Sequence, residues 1–97
     1  MACDDSSQMT PAETSALAAI KLAAAHGRIR ESGHAKKRMR ERRVTFAGLR
    51  RALTTSTGCL FEDTDKWLVS GGVDQDGDSL SVVCVLDGDG TIVVTLF

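Results

Sequence analysis

The sequence has no tyrosine, and among its 97 residues it holds one tryptophan, one proline and two histidines. No phenolic hydroxyl is therefore available to any chemistry, and imidazole is offered only by His26 and His34. No apolar run approaches the ~20 residues that cross a bilayer, so no membrane span is expected. The first ten residues, MACDDSSQMT, lack the basic start and the apolar stretch of a secretory signal, which predicts a cytoplasmic location. Cysteine is sparse. Cys3, Cys59 and Cys84 are odd in number, widely spaced, and form neither a CxxC nor a cysteine–histidine cluster. This argues against a disulfide framework and a zinc site and for reduced thiols, with Cys59 and Cys84 in strands. No metal or cofactor is expected.

Positive charge is nearly missing from the second half. Residues 52–97 set Lys66 alone against eight carboxylates, a net −7, and residues 1–20 carry −3. Residues 21–51 hold eleven Lys/Arg against Glu31 and Glu41, or +9. The net charge of −1 thus conceals a basic segment joined to an acidic one. Such a segment attracts polyanions. A chain of this length makes one domain with one modest core.

The first helix is well signalled. Thr10 is a cap, Pro11 suits the first helical position, and Glu13 completes a T-x-x-E capping box. Leu17, Ile20 and Ala24 recur at helical spacing and Gly27 is a stop, which predicts a helix over Pro11–His26. Residues 1–9 are polar and acidic and read as a disordered tail. Ile29 is expected in a short edge strand or connector. Ser32 caps a second helix, His34–Arg42, with Ala35 and Met39 as its apolar stripe. Thr45 caps a third, Phe46–Leu53, with Phe46, Leu49 and Leu53 inward.

After Gly58 the hydrophobic period changes from 3.6 to 2. CLF (Cys59–Phe61), KWLVSG (Lys66–Gly71), SLSVVCVL (Ser79–Leu86) and TIVVTLF (Thr91–Phe97) read as strands, with Asp/Gly-rich turns between them. Helices first and a meander after predict an α+β domain over residues 10–97. Its N-terminal helices pack on one face of an antiparallel sheet built from residues beyond Gly58.

Two features invite a metal or a cap reading. Asp74, Asp76 and Asp78 alternate like the start of an EF-hand loop. However, Ser79 stands where that loop needs glycine and Val85 where it needs a bidentate glutamate, so a hairpin turn is expected. His26, at the end of the first helix, is accounted for by the negative end of the helix dipole.

Between Glu31 and Phe46 the run ESGHAKKRMRERRVTF collects six Lys/Arg around one histidine. His34, Arg38 and Arg42 are spaced by four. A helix amino end offers N–H donors to an anion, and Arg38 offers a bidentate fork, so the pattern fits a phosphate site beside an ionisable imidazole. The same residues also fit a solvated basic helix that begins with a histidine.

The segment SGHAKKRMRERRVTFAGLRRAL, followed by WLVSG and LSVVCVLDGDGTIVVTLF, resembles the family catalogued as domain of unknown function 4258. The shared pattern is a histidine and alanine, an R-M-x-x-R run, a short helix, and a C-terminal meander. Its layout is similar to that of the MqsR and RelE toxins, small metal-independent ribonucleases of the barnase–EndoU–colicin–RelE grouping. That resemblance implies a RelE/MqsR-like fold, RNA cleavage, and a cognate antitoxin protein as partner. Many such toxins use a tyrosine, which this chain lacks, so the catalytic set rests on His34 as acid or base and Arg38 as phosphate clamp. Lys36, Lys37, Arg42 and Arg43, with Lys66 from the sheet, would then bind RNA. The alternatives are a non-catalytic module that binds nucleic acid or protein through residues 34–43, and an antitoxin or immunity-type protein that uses its acidic half.

Overall fold

Side-chain caps read from the sequence open all three helices of the computed structural model, which describes residues 9–97. Helix α1 (Pro11–Ala25) begins with the capping box. The Thr10 hydroxyl accepts the Glu13 N–H at 3.1 Å, and the Glu13 carboxylate accepts the Thr10 N–H at 2.9 Å. It ends on His26 as cap, and Gly27 follows at φ +73°, a left-handed turn that glycine takes without strain. Strand β1 (Ile29–Glu31) leads to α2 (Gly33–Arg42) and α3 (Phe46–Thr54). Strands β2 (Gly58–Phe61), β3 (Lys66–Val73), β4 (Ser79–Asp87) and β5 (Gly90–Leu96) complete the chain. Of the expected tail, residues 1–8, including Cys3, lie outside the described residues. Met9 is not part of a loose tail: it packs against the core.

The five strands form one sheet in the order β1-β5-β4-β3-β2, and the fold class is α+β as expected. Two expectations about the sheet need correction. It is mixed rather than antiparallel, and it is not confined to residues beyond Gly58, because β1 joins β5 in parallel with Ile29 opposite Thr91. A three-residue strand has no alternation to detect. It exists because Ile29 is buried and because the backbone groups of Arg28 and Ser32 pair with Thr91 and Val93.

All three helices cover one face. Ile20, Ala35, Met39, Leu49 and Leu53 pack against Cys59, Val69, Val82, Cys84, Val93 and Leu96. Leu60, Leu68, Val83, Val85 and Ile92 alternate with these along the strands and face the other way. Val93 and Leu96 are three apart, yet both face the helices, because a bulge beside Val83/Cys84 places an extra residue in β5. A second irregularity between Val69 and Gly72 does the same for β3. There Gly72 touches the backbone of α3, and a Cβ would overlap the carbonyl of Ala52.

The outer edge of the sheet at β2 is covered by the start of α1. The Phe61 N–H donates to the second oxygen of Glu13 at 2.9 Å, and the Cys59 N–H donates to the Met9 sulfur at 3.2 Å. Glu13 is buried, and these backbone donors, Phe61 first and Thr10 second, hold its carboxyl below the usual range.

Candidate nucleic-acid interface

Helix α2 is fixed at both ends and along its underside. At its amino end the Ser32 hydroxyl accepts the Ala35 N–H at 3.0 Å and donates to the Val94 carbonyl at 2.8 Å. The Ser32 N–H donates to the Val93 carbonyl at 2.9 Å. Ala35 and Met39 are buried beneath. At its carboxyl end Arg43 takes a left-handed conformation (φ +56°), and Gln75 of the β3–β4 turn clasps the corner. The Gln75 amide donates to the Arg43 carbonyl at 2.8 Å, and its oxygen accepts the Thr45 N–H at 3.3 Å. A basic helix held this firmly loses little further freedom on meeting a ligand.

The cations of the basic segment divide into two sets. Arg28 pairs with Asp89, Arg30 with Asp87, and Arg38 with Glu41. Lys21 donates to the Ser56 carbonyl at 2.8 Å, and Arg50 donates to the carbonyls of Ala24 and Ala25, closing the carboxyl end of α1. Three positive charges are thereby paired with carboxylates and two more are held on carbonyls. Among the described residues, Lys36, Lys37, Arg40, Arg42, Arg43 and Arg51 have no such partner. Five of these six lie on α2 or its cap. The broad +9 of the sequence becomes one basic helix whose row of exposed cations is, among the described residues, free of ion pairs.

The expected site residues fall on different sides of that row. His34 is exposed in the first turn. Arg38, spaced four from it, is half-buried: its Nε donates to the Leu96 carbonyl at 3.1 Å and its Nη1 to Glu41 at 3.3 Å. Arg38 therefore ties α2 to β5, and part of its fork is engaged. Lys36 and Arg43 stand on the opposite flank, with Arg40 between them, around a groove of about 490 Å³. Glu31, Met39, Val44 and Thr45 complete its lining. Lys37 and Arg42 are exposed on the helix between and beside these flanks. Lys66 is not brought to this row. Trp67 packs against the helix-side core, so Lys66, one residue earlier, stands on the other face of the sheet, in register with Val85.

Arg40 was missed by a reading phased on His34, Arg38 and Arg42. Its signal was the spacing of four from Lys36 and three from Arg43, which defines a second flank of the same helix. The described thiols are not reactive groups: burial pushes Cys84 up to about 12 and Cys59 up to about 11. The acidic trio forms the expected turn, with the Asp74 carboxylate accepting the N–H groups of Asp76 and Asp78 at 2.9 and 3.0 Å. No helix among the described residues is long and apolar enough to cross a membrane.

The profile of a family described as Domain of unknown function (DUF4258) matches residues 32–97, from the cap of α2 through β5. No curated protein and no solved structure matches the chain.

Proposed function

Taking as premise that this chain belongs to the DUF4258 family over residues 32–97, we propose that it binds RNA along α2 and cleaves it without a metal ion. The observation that carries the reading is the concentration of uncompensated cations on one rigid helix, while the other arginines of the basic segment are tied to carboxylates or carbonyls. Phosphates are the partner such a row fits, since each neutralised phosphate releases a counterion. RNA also carries its own nucleophile. A base removes the 2′-OH proton, cations stabilise the charge growing on phosphorus-bound oxygen, and an acid protonates the leaving 5′-oxygen.

His34 is the one imidazole beside the row and is exposed to a ligand. It is assigned the proton transfer. Arg38 is assigned the phosphate nearest His34, through the part of its fork that Leu96 and Glu41 do not occupy. Lys36, Lys37, Arg42 and Arg43, joined by Arg40, hold the flanking backbone. A cognate antitoxin would neutralise the chain by covering α2 with carboxylates.

A second reading, RNA binding without cleavage, is favoured by the same engagement of Arg38. His34→Ala separates the two. Loss of an exposed side chain changes stability by no more than ~0.5 kcal/mol. Loss of an acid/base group costs roughly 10²–10⁴ in rate. The expected result is an unchanged melting curve, unchanged RNA binding and lost cleavage of a labelled single-stranded RNA. Retained cleavage would remove His34 from the chemistry. Wild-type protein that binds the RNA and never cuts it would leave the binding reading alone standing.

A further inference from the structure

We infer that the groove beside α2 holds one unpaired nucleotide of the bound RNA, and that it selects a base with an exocyclic amino group: adenine, cytosine or guanine rather than uracil. This rests on the RNA reading above and names what that surface distinguishes.

The groove combines three chemistries in about 490 Å³, a size in the range of small-ligand sites. Its floor is apolar: Met39 and Val44 are buried, at 9% and 6% exposure, yet both line it. The exposed parts of a thioether and a branched aliphatic chain give a base ring apolar, polarisable contact. Its rim is cationic, with Lys36, Arg40 and Arg43 all exposed and none in an ion pair among the described residues. That rim fits the phosphate of the nucleotide whose base lies below.

The third element is Glu31, a half-buried carboxylate at the end of β1. A carboxylate is an error in a site made only for phosphate, because it repels the anion. In a site made for a nucleotide it has a use. An ionised carboxylate accepts only, so it is met best by an exocyclic amino group at the margin of a base, whereas uracil offers it a single N3–H set between the O2 and O4 acceptors that repel it. A base inside a helical stem keeps that edge paired, so the occupant is single-stranded. The walls are held in place from outside the groove, because the Gln75 clasp fixes the Arg43 and Thr45 backbone.

The test uses the full chain carrying His34→Ala, so that the probes stay intact, and the single-stranded hexamers C6, A6 and U6. Affinity is measured by fluorescence anisotropy, and the Met39 methyl is followed by NMR. C6 and A6 are expected to bind roughly tenfold more tightly than U6, the value of one good carboxylate–amino contact. They are also expected to shift the Met39 methyl. Glu31→Gln removes the charge and lets the side chain donate as well as accept. It should bring U6 level with the others without weakening C6 more than a few-fold. Equal binding of all three hexamers, with Met39 unmoved and Lys37→Gln weakening each, would overturn the groove inference and leave RNA binding in place. No binding of any hexamer at low salt would overturn both readings, as would binding of poly-glutamate alone.

Discussion

The most direct consequence of the uncompensated row is the way RNA affinity must respond to salt. Lys36, Lys37, Arg40, Arg42 and Arg43 are the five cations on α2 and its cap without an internal partner among the described residues. If each, together with Arg38 at the phosphate nearest His34, neutralises one phosphate of a single strand, log K falls with log salt at a slope of about −4.2, or roughly a three-hundredfold loss between 50 and 200 mM. Replacing Lys36, Arg40 and Arg43 with glutamine leaves three of the six. The slope should then drop to about −2.1, and the same change of salt should cost only about twentyfold. All three side chains are exposed, so the fold should survive, and glutamine keeps part of each aliphatic stem. The measurement is fluorescence anisotropy of a labelled single-stranded RNA titrated across that salt range, with His34→Ala in every protein to prevent cleavage. Arg51→Gln, a cation on α3 in no ion pair among the described residues, serves as control and should leave the slope alone. A triple variant that retains the wild-type slope would refute the assignment of the phosphate contacts to this row. So would a wild-type slope shallower than about −1, whatever the variants did.

Three further outcomes follow from contacts inside the fold. Arg38→Ala removes the donor to the Leu96 carbonyl and should lower stability by about 1 kcal/mol, visible as a lower urea midpoint with unchanged m. An unshifted midpoint would mean that the tie to β5 contributes nothing. Gly72→Ala forces a methyl into the Ala52 carbonyl, whose carbon would lie 2.7 Å away, and should cost about 1–3 kcal/mol or more as α3 is lifted from β3; Gly77→Ala, in open space at positive φ, isolates the cost of backbone strain alone. The Glu13 carboxyl is held below its ordinary value in the fold, so its contribution is complete above the ordinary glutamate range of about 4.3 and fades as pH falls through the lowered value. Glu13→Gln should therefore flatten the acid limb of the stability–pH curve, measured by thermal melts between neutral and acid pH, and an unchanged limb would place the linkage elsewhere.

How much of this was legible beforehand depended on how local the cause was. Thr10 with Glu13, Ser32 and Thr45 each announce a helix within four residues, and each opens one in the fold. The alternation of Ser79–Leu86 and Thr91–Phe97 gave their strands for the same reason. Ile29 suggested a short edge strand or a connector, but the parallel pairing of β1 with β5 was hidden, because its partner lies 62 residues away at Thr91 and three residues carry no period. The bulges were hidden too, since an extra residue in β5 shows only against the register of β4. At the site, the sequence marked the basic segment and the helix that bears it. It did not show which cations are internally occupied, because their partners are carbonyls and carboxylates on distant elements: Leu96 for Arg38, Asp87 for Arg30, Ala24 and Ala25 for Arg50. Lys66 was assigned by charge alone, and only the pleat of β3 reveals that it faces away.

The cover over β2 bears on how one molecule treats another. A sheet edge with open N–H groups is a template on which a second chain can add a strand, then a third. Here the outward N–H of Phe61 is already taken by Glu13 and that of Cys59 by Met9, while the opposite edge offers only the three residues of β1. Leu60 and Phe61, both more than half exposed or nearly so at 55% and 50%, would make an uncovered β2 adhesive. Protonating or truncating Glu13 thus does more than loosen the start of a helix. It frees the outward N–H of Phe61 at the end of the sheet, and concentrated solutions in acid should associate through β2 before the rest of the fold is lost.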